Sequence, residues 1–415
     1  MNKWLKLTGI LILALALVIS LGGCGTTTEE TAGGDTINFG YSSGFTGDMA
    51  PWAEPVVNAA NAAIDEINAA GGILGKQVVL YAEDNKSGVE GSVQAATKLL
   101  SVNKCTVILG PESDPIMALQ SFAKENKIPV IGTQCGTSAL DAIGGTGNYL
   151  WRTSPSDSFI GICEANVVKN TMGIDKVCIM YENTEGSTSA AESFTHNFEA
   201  LGGTIVNTIV MSSNQSSYSS EIKKAVDSAP QLLYISTGQV VANTLLKEIY
   251  QKSIEIPLLG TTELQNDELV AAVQQAAVGL MSVRVVENED STGWDRFVEL
   301  YTDKFGVAPM AGYYQSNSYD ATIIAALALA AAGENTGEAI ENKLSEVANP
   351  PGVKVGSYAD GIAELAAGND IDYEGASGPC DFNEFGNVNG PAVAVMEVSS
   401  DLKWVQTQKI DATGF

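Results

Sequence analysis

Histidine is all but missing from this 415-residue chain, where His196 stands alone. No cysteine pair has C-x-x-C spacing either, so a zinc-type set of His and Cys ligands cannot be assembled, and no metal or cofactor is expected. Basic residues are scarce: 22 Lys and Arg face 49 Asp and Glu, for a formal net charge of −27. Such a surface repels phosphate backbones and anionic lipid, which excludes nucleic acid as a partner. Past the N-terminus no apolar run reaches the roughly 18 residues of a membrane span. The longest stretch, 321–332, is short and alanine-rich and reads as a packed helix. The acidity does not mean disorder, because 45% hydrophobic residues supply a substantial core.

What is present is clearest at the N-terminus. Lys3 and Lys6 precede an apolar run, 7–21, that closes on Leu21-Gly22-Gly23-Cys24. A basic start, a short apolar stretch and small residues at the end follow the order of a secretory signal peptide over residues 1–23, with an uncleaved anchor as the alternative. The L-x-G-C form resembles the lipobox of bacterial lipoproteins. It implies a lipid-modified Cys24, a lipid-anchored tether over 24–35, and a mature chain working outside the cytoplasm at the cell membrane. Export permits disulfides, but Cys105, Cys135, Cys163, Cys178 and Cys380 suggest no pairing; Cys178, inside Val177-Cys178-Ile179-Met180, reads as a buried free thiol.

From Thr36 onward short strand-like runs alternate with helical ones. Runs at 37–41, 77–82, 107–109 and 129–131 are separated by helical stretches at 53–69, 89–101 and 115–125. In the first helix Val56, Val57, Ala60, Ala63, Ile64 and Ile67 recur with a period near 3.6, and Gly71-Gly72 ends it. The pattern restarts at 177–181, 204–210, 232–236 and 257–260, with helices near 190–201, 219–226 and 241–250. A strand at 280–286, helices near 294–305 and 318–332, and a Gly- and Asp-rich C-terminal part with a strand at 392–398 follow. Two βα series of similar size predict an α/β fold of two doubly wound parallel-sheet lobes.

The run Ile64-Asp65-Glu66-Ile67-Asn68-Ala69-Ala70-Gly71-Gly72-Ile73-Leu74-Gly75-Lys76 resembles the leucine/isoleucine/valine-binding proteins of ABC importers. The resemblance continues, in the family's order, through Phe45-Thr46-Gly47, Glu83-Asp84-Asn85, Gly110-Pro111, Ile128-Pro129-Val130-Ile131, Trp151-Arg152-Thr153-Ser154-Pro155-Ser156-Asp157 and Ser318-Tyr319-Asp320-Ala321. It implies a type I periplasmic-binding-protein fold, two lobes joined by three crossovers. These are expected just after Trp151–Asp157, near 282–286 and near 346–351. Lobe 1 would comprise 36–152 and 284–345, lobe 2 153–283 and 346–415, with a small-molecule ligand between them at the carboxyl ends of the strands.

The resemblance also directs attention to site residues. The family's carboxylate-binding serine falls on Asp114, within Gly110-Pro111-Glu112-Ser113-Asp114-Pro115, and its threonine on Gly136, within Thr133-Gln134-Cys135-Gly136-Thr137. Asp before Pro is equally a helix-capping pair, so Asp114 either caps only or also faces ligand. Trp52 and Tyr314 fall where aromatics line the cleft, with core packing as the plain alternative. In the second lobe Gly186 and Gln239 stand where aromatics are common, and Thr262, beside Glu263, replaces the acid that receives an ammonium. Glu185 and Glu263 are cleft candidates or solvated loop charges. An altered carboxylate pair and missing aromatics leave a reshaped pocket for a small polar organic solute, an amino acid being one candidate.

One enzyme-like signal competes. Gly40-Tyr41-Ser42-Ser43-Gly44 satisfies G-x-S-x-G, which would make Ser42 a hydrolase nucleophile, but its sole histidine partner would be His196 in the other βα series. The resemblance implies instead a monomeric, non-catalytic solute receptor delivering to an ABC permease, or a sensory receptor of the same fold coupled to a signalling partner.

Overall fold

The computed structural model describes residues 36–412, except Asn288, Asp290, Ala311 and Pro391, so the leader, Cys24 and the tether lie outside the described residues. Strand β1 (Ile37–Ser43) is buried along nearly its whole length, and its sequence lacks the alternation of a half-exposed strand. The helix Ala50–Ala69 follows and buries the predicted apolar stripe. It stops where Gly71 and Gly72 take positive φ, and the Gly72 N–H returns to the Ile67 carbonyl at 2.9 Å.

Strands β2 (Val78–Asp84), β3 (Ile108–Leu109), β4 (Val130–Gly132) and β5 (Leu150–Arg152) complete a parallel five-stranded sheet, ordered β2-β1-β3-β4-β5. The second series gives β6 (Lys176–Glu182), β7 (Thr204–Met211), β8 (Leu232–Ser236), β9 (Leu258–Gly260) and β10 (Leu280–Val286). A small parallel pair comes next, β11 (Val353–Val355) with β12 (Ile371–Tyr373). Strands β13 (Ala392–Val398) and β14 (Trp404–Asp411) then extend the second sheet antiparallel to β10, in the order β14-β13-β10-β9-β8-β6-β7. The five parallel strands of each sheet share one order. Each sheet therefore has a switch point, between β1 and β3 and between β6 and β8, where loops diverge and leave a crevice.

The third crossover differs from expectation. Phe297, Tyr301 and the helix Gln315–Ala332 pack with β1 in the first core, so the chain returns from the second sheet after Val286. Val355, Tyr358, Ile371, Tyr373, Phe382 and Val388 join that same core, while Val393, Val395 and Ala412 pack with β6 and β8. The third crossing therefore lies just past Val388, and residues 346–388 belong to the first lobe, not the second. Asp320, buried in the helix Gln315–Ala332, holds this segment by accepting the N–H of Ala376 at 2.9 Å and of Ser377 at 2.8 Å and the hydroxyl of Tyr373 at 2.9 Å.

The alanine-rich stretch is the packed helix expected, and among the described residues no single helix is long and apolar enough to cross a membrane. Cys178 is buried and free, as are Cys105, Cys135, Cys163 and Cys380.

Candidate functional site

The switch points set the chemistry of the cleft. At the end of β3 stands Glu112, a buried carboxylate that accepts the Gly44 N–H at 2.8 Å and an Asn85 side-chain N–H at 2.6 Å. Burial raises its pKa against the pull of those bonds. At the end of β6, buried Glu182 accepts the Thr237 hydroxyl at 2.8 Å and the Gly238 N–H at 3.0 Å. Asp48 reaches from the first lobe to the start of the helix Gln239–Gln251 and accepts the Val240 N–H; burial, then the nearby Glu182, raises its pKa.

The lobes touch directly. Asp114 does not cap its own helix, Ser113–Ala118, whose N-cap is Glu112; it accepts the Glu185 N–H of the second lobe at 3.1 Å. The Thr137 hydroxyl donates to Glu185 at 2.8 Å, and the Ser138 N–H donates to the Ser189 hydroxyl at 2.7 Å. Glu185 is thus neither a solvated charge nor free for solute: it bridges the lobes. Ser113 accepts the Thr137 N–H at 3.2 Å and so holds that loop in place.

Two voids lie between the lobes, and Glu263 lines both. The first, at the switch points, receives the carboxylates of Asp48, Glu112, Asp114, Glu182 and Glu263; among the described residues lining it there is no Lys, Arg or His. Gln134 offers it a buried amide whose oxygen and nitrogen both lack a hydrogen-bond partner. Gly186 lines it too, and even a Cβ there would stand 3.5 Å from Ser113, so the missing aromatic leaves open space.

The second void lies on the hinge side, where Gly136, Asp157, Glu164, Thr261, Arg284 and Tyr314 contribute. A Cβ on Gly136 would come within 2.0 Å of the Asp157 carboxylate, so glycine there is a requirement of packing. Tyr314 bonds Thr262 through its hydroxyl, and burial raises its pKa well above the ordinary range.

The expected residues thus separate. Ser113, Asp114 and Gln134 meet Glu263 at the first void, and Gly136, Glu263 and Tyr314 line the second. Trp52 is 2% exposed and Cys135 is wholly buried with its thiol pushed up to about 12 by burial; neither lines a void. Gln239 opens its helix with a buried, unpartnered amide nitrogen but lines neither void. Sequence reasoning missed Asp48, Glu182, Asp157 and Glu164. For Glu164 a signal existed: a charge set between Cys163 and Ala165 near the end of the largely apolar run 159–165. Ser42 is buried in β1 and accepts an Asn85 N–H at 3.3 Å, whereas His196 is exposed on the helix Glu185–Ala200. No hydrogen bond joins them among the described residues, and residues 40–43 run on as extended strand where a nucleophile elbow would turn sharply.

Two doubly wound lobes closing on a polar cleft define a solute-binding protein. Residues 36–402 match the model of the periplasmic binding protein family, and the chain belongs to that family. It is 25% identical over 329 residues to Leu/Ile/Val-binding protein homolog 8 of Brucella suis, covering 75% of this chain and 80% of that one. It is 21% identical over 344 residues to the chemotactic signal transduction system substrate-binding protein BasB of Halobacterium salinarum, covering 81% and 80%. Its fold is similar to that of LivJ, the branched-chain amino acid transporter substrate-binding protein of Streptococcus pneumoniae in complex with isoleucine. That match has a TM-score of 0.74 and 20% identity and covers 91% of this chain and 99% of that one. The fold is the type I periplasmic binding protein, and the family's members bind small molecules outside the cytoplasm and are not enzymes.

Proposed function

We propose that this protein is the extracytoplasmic receptor of an ABC importer, capturing a small polar organic solute between two closing lobes and presenting the closed form to a membrane permease. The observation that carries it is the set of direct bonds across the cleft, Asp114 and Thr137 to Glu185 and Ser138 to Ser189, wrapped around a polar void. Bonds that exist only when the lobes meet favour the closed state, and a solute touching both lobes adds its own differential affinity to that equilibrium. In this reading Ser113, Asp114, Gln134, Gly136, Glu263 and Tyr314 line the site, Thr137 and Glu185 lock the lobes around it, and Trp52, Cys135 and Gln239 stand outside it. A lipid on Cys24 keeps the receptor close to its permease, where one chain and a short tether hold the local concentration high. The reading is tested by solution scattering during a ligand screen: a solute that raises the melting temperature should also reduce the radius of gyration, and stabilisation without compaction sinks the closure mechanism.

A sensory role is the second reading, favoured by the likeness to BasB. It predicts that a closed, liganded receptor is captured by a signalling membrane partner in pull-downs, with no permease retained.

A further inference from the structure

The hinge-side void is wrapped by all three crossovers. Thr153 and Pro155 line it from the first, Glu287 from the second, and Val388, Asn389 and Gly390 from the third. Into it project three carboxylates, Asp157, Glu164 and Glu263, close enough that Glu263 adds to the raised pKa of Asp157, and both add to that of Glu164. Glu164 is 1% exposed; one of its oxygens accepts the Tyr234 hydroxyl at 2.8 Å, and the other, Oε1, has no partner. Asp157 Oδ2 is likewise buried and unpartnered, and so is the hydroxyl oxygen of Thr261, itself 4% exposed.

Arg284 lines this void and Arg152 lies within electrostatic reach of Asp157, but the bonds each makes go to other groups. Arg152 is spent on the carbonyls of Gly136 at 2.9 Å and Thr137 at 2.8 Å and on the Asp141 carboxylate. Arg284 pairs with Glu287 at 3.3 Å. A buried carboxylate oxygen without a partner is costly, and a site lined by four carboxylates and one guanidinium is complementary to a group that brings donors and positive charge together. An ammonium does so, with three donors and no acceptor. The remaining walls are mixed, with polar Thr153, Ser316, Asn317 and Asn389 beside apolar Ile160, Ala190, Val285, Pro379 and Val388, and the apolar ones suit a methylene chain. The adjoining void at the switch points, reached past Glu263, is acidic as well.

We propose that the solute is an aliphatic amine, and that its ammonium is held in this hinge-side chamber by Asp157, Glu164 and Glu263. The inference rests on the receptor reading above and names the class of solute. Because the chamber is built from the crossover segments, an ammonium drawn in there contacts the hinge itself, so that its binding and the closure of the lobes are one event.

The test is isothermal titration calorimetry of the mature chain with 1,4-diaminobutane and with spermidine, and with isoleucine and benzoate in parallel. A one-to-one amine complex is expected, weakened at least tenfold by Glu164→Gln, which keeps an oxygen for Tyr234, and by Asp157→Asn, each variant retaining a native circular dichroism spectrum. Should Glu164→Gln fail to fold, Glu263→Gln, on a partly exposed loop, gives the same readout. Amine binding unchanged in these variants places the ammonium elsewhere and overturns the assignment. Binding of isoleucine or benzoate but of neither amine overturns the solute class while leaving the receptor reading in place, as does stabilisation and compaction by other solutes alone. Failure of every solute to compact the protein removes the receptor reading itself.

Discussion

The hydroxyl of Thr137 in the first lobe donates to the Glu185 carboxylate of the second at 2.8 Å, and the Glu185 N–H returns to Asp114 at 3.1 Å. Two bonds of opposite direction thus meet at one residue, and both are lost when the lobes part. Thr137→Val should weaken solute affinity by roughly three- to tenfold, the worth of one partly buried charge-assisted hydrogen bond. The melting temperature of the solute-free protein should change little. Calorimetric titration of the two proteins side by side checks this.

Gly238 makes the second close approach between the lobes. A Cβ there would lie 2.8 Å from the Asp48 carboxyl carbon, although the backbone itself would accept any residue. Gly238→Ala should therefore oppose closure, raising the dissociation constant several-fold, on the order of 1 kcal/mol of overpacking. Scattering should show a larger radius of gyration at a given solute concentration, and an unchanged profile would show that Asp48 simply rotates away.

Glu341 ties the loop before β5 to the first core. Its carboxylate accepts the Trp151 indole N–H at 2.7 Å and the N–H groups of Gly147 at 2.7 Å and Tyr149 at 3.2 Å. Glu341→Ala leaves the buried Trp151 and Tyr149 donors without a partner and should cost about 2–4 kcal/mol, read as a lower midpoint in urea with an unchanged slope.

Asp157 should make stability fall as pH rises. Burial, with Glu263 and Asp141 adding to it and Ser189 and Arg152 opposing, lifts its pKa from 3.8 to about 7. Between those values the folded protein holds a proton that the unfolded chain has released, so each pH step upward favours unfolding. Glu164, raised in the same direction by burial, acts with it. Asp157→Asn should thus gain stability relative to the parent on going from pH 4 to pH 8, on the order of 2–4 kcal/mol, measurable by denaturant unfolding at both pH values. Equal pH dependence of the two proteins would contradict the assignment.

Cys24→Ser tests the anchor. The parent should partition into detergent and run as a lipid-modified species by mass spectrometry, while the variant should stay in the aqueous phase or retain its leader. Identical partitioning of the two would remove the lipobox reading.

Much of the fold was legible because it is local. The period of Val56 to Ile67, the stop at Gly71-Gly72 and the repeated βα alternation each depend on neighbours within a few turns, and they specified two parallel sheets. The third crossing was not, because residues 346–388 carry no periodicity that says which core they join; a buried carboxylate more than fifty residues upstream, Asp320, decides it. The cleft candidates fared similarly. Asp114 and Glu185 were visible as charges beside helix starts, but that they meet each other depends on how the lobes close.

By itself the amino-acid sequence determined an acidic α/β protein with two successive βα series, since composition and short-range pattern dictate those properties. The tertiary structure alone decided which carboxylates share a chamber. Asp157, Glu164 and Glu263 stand up to about a hundred positions apart, and their shared burial, which makes unpaired oxygens costly and a cation welcome, exists only once the lobes and hinge are assembled.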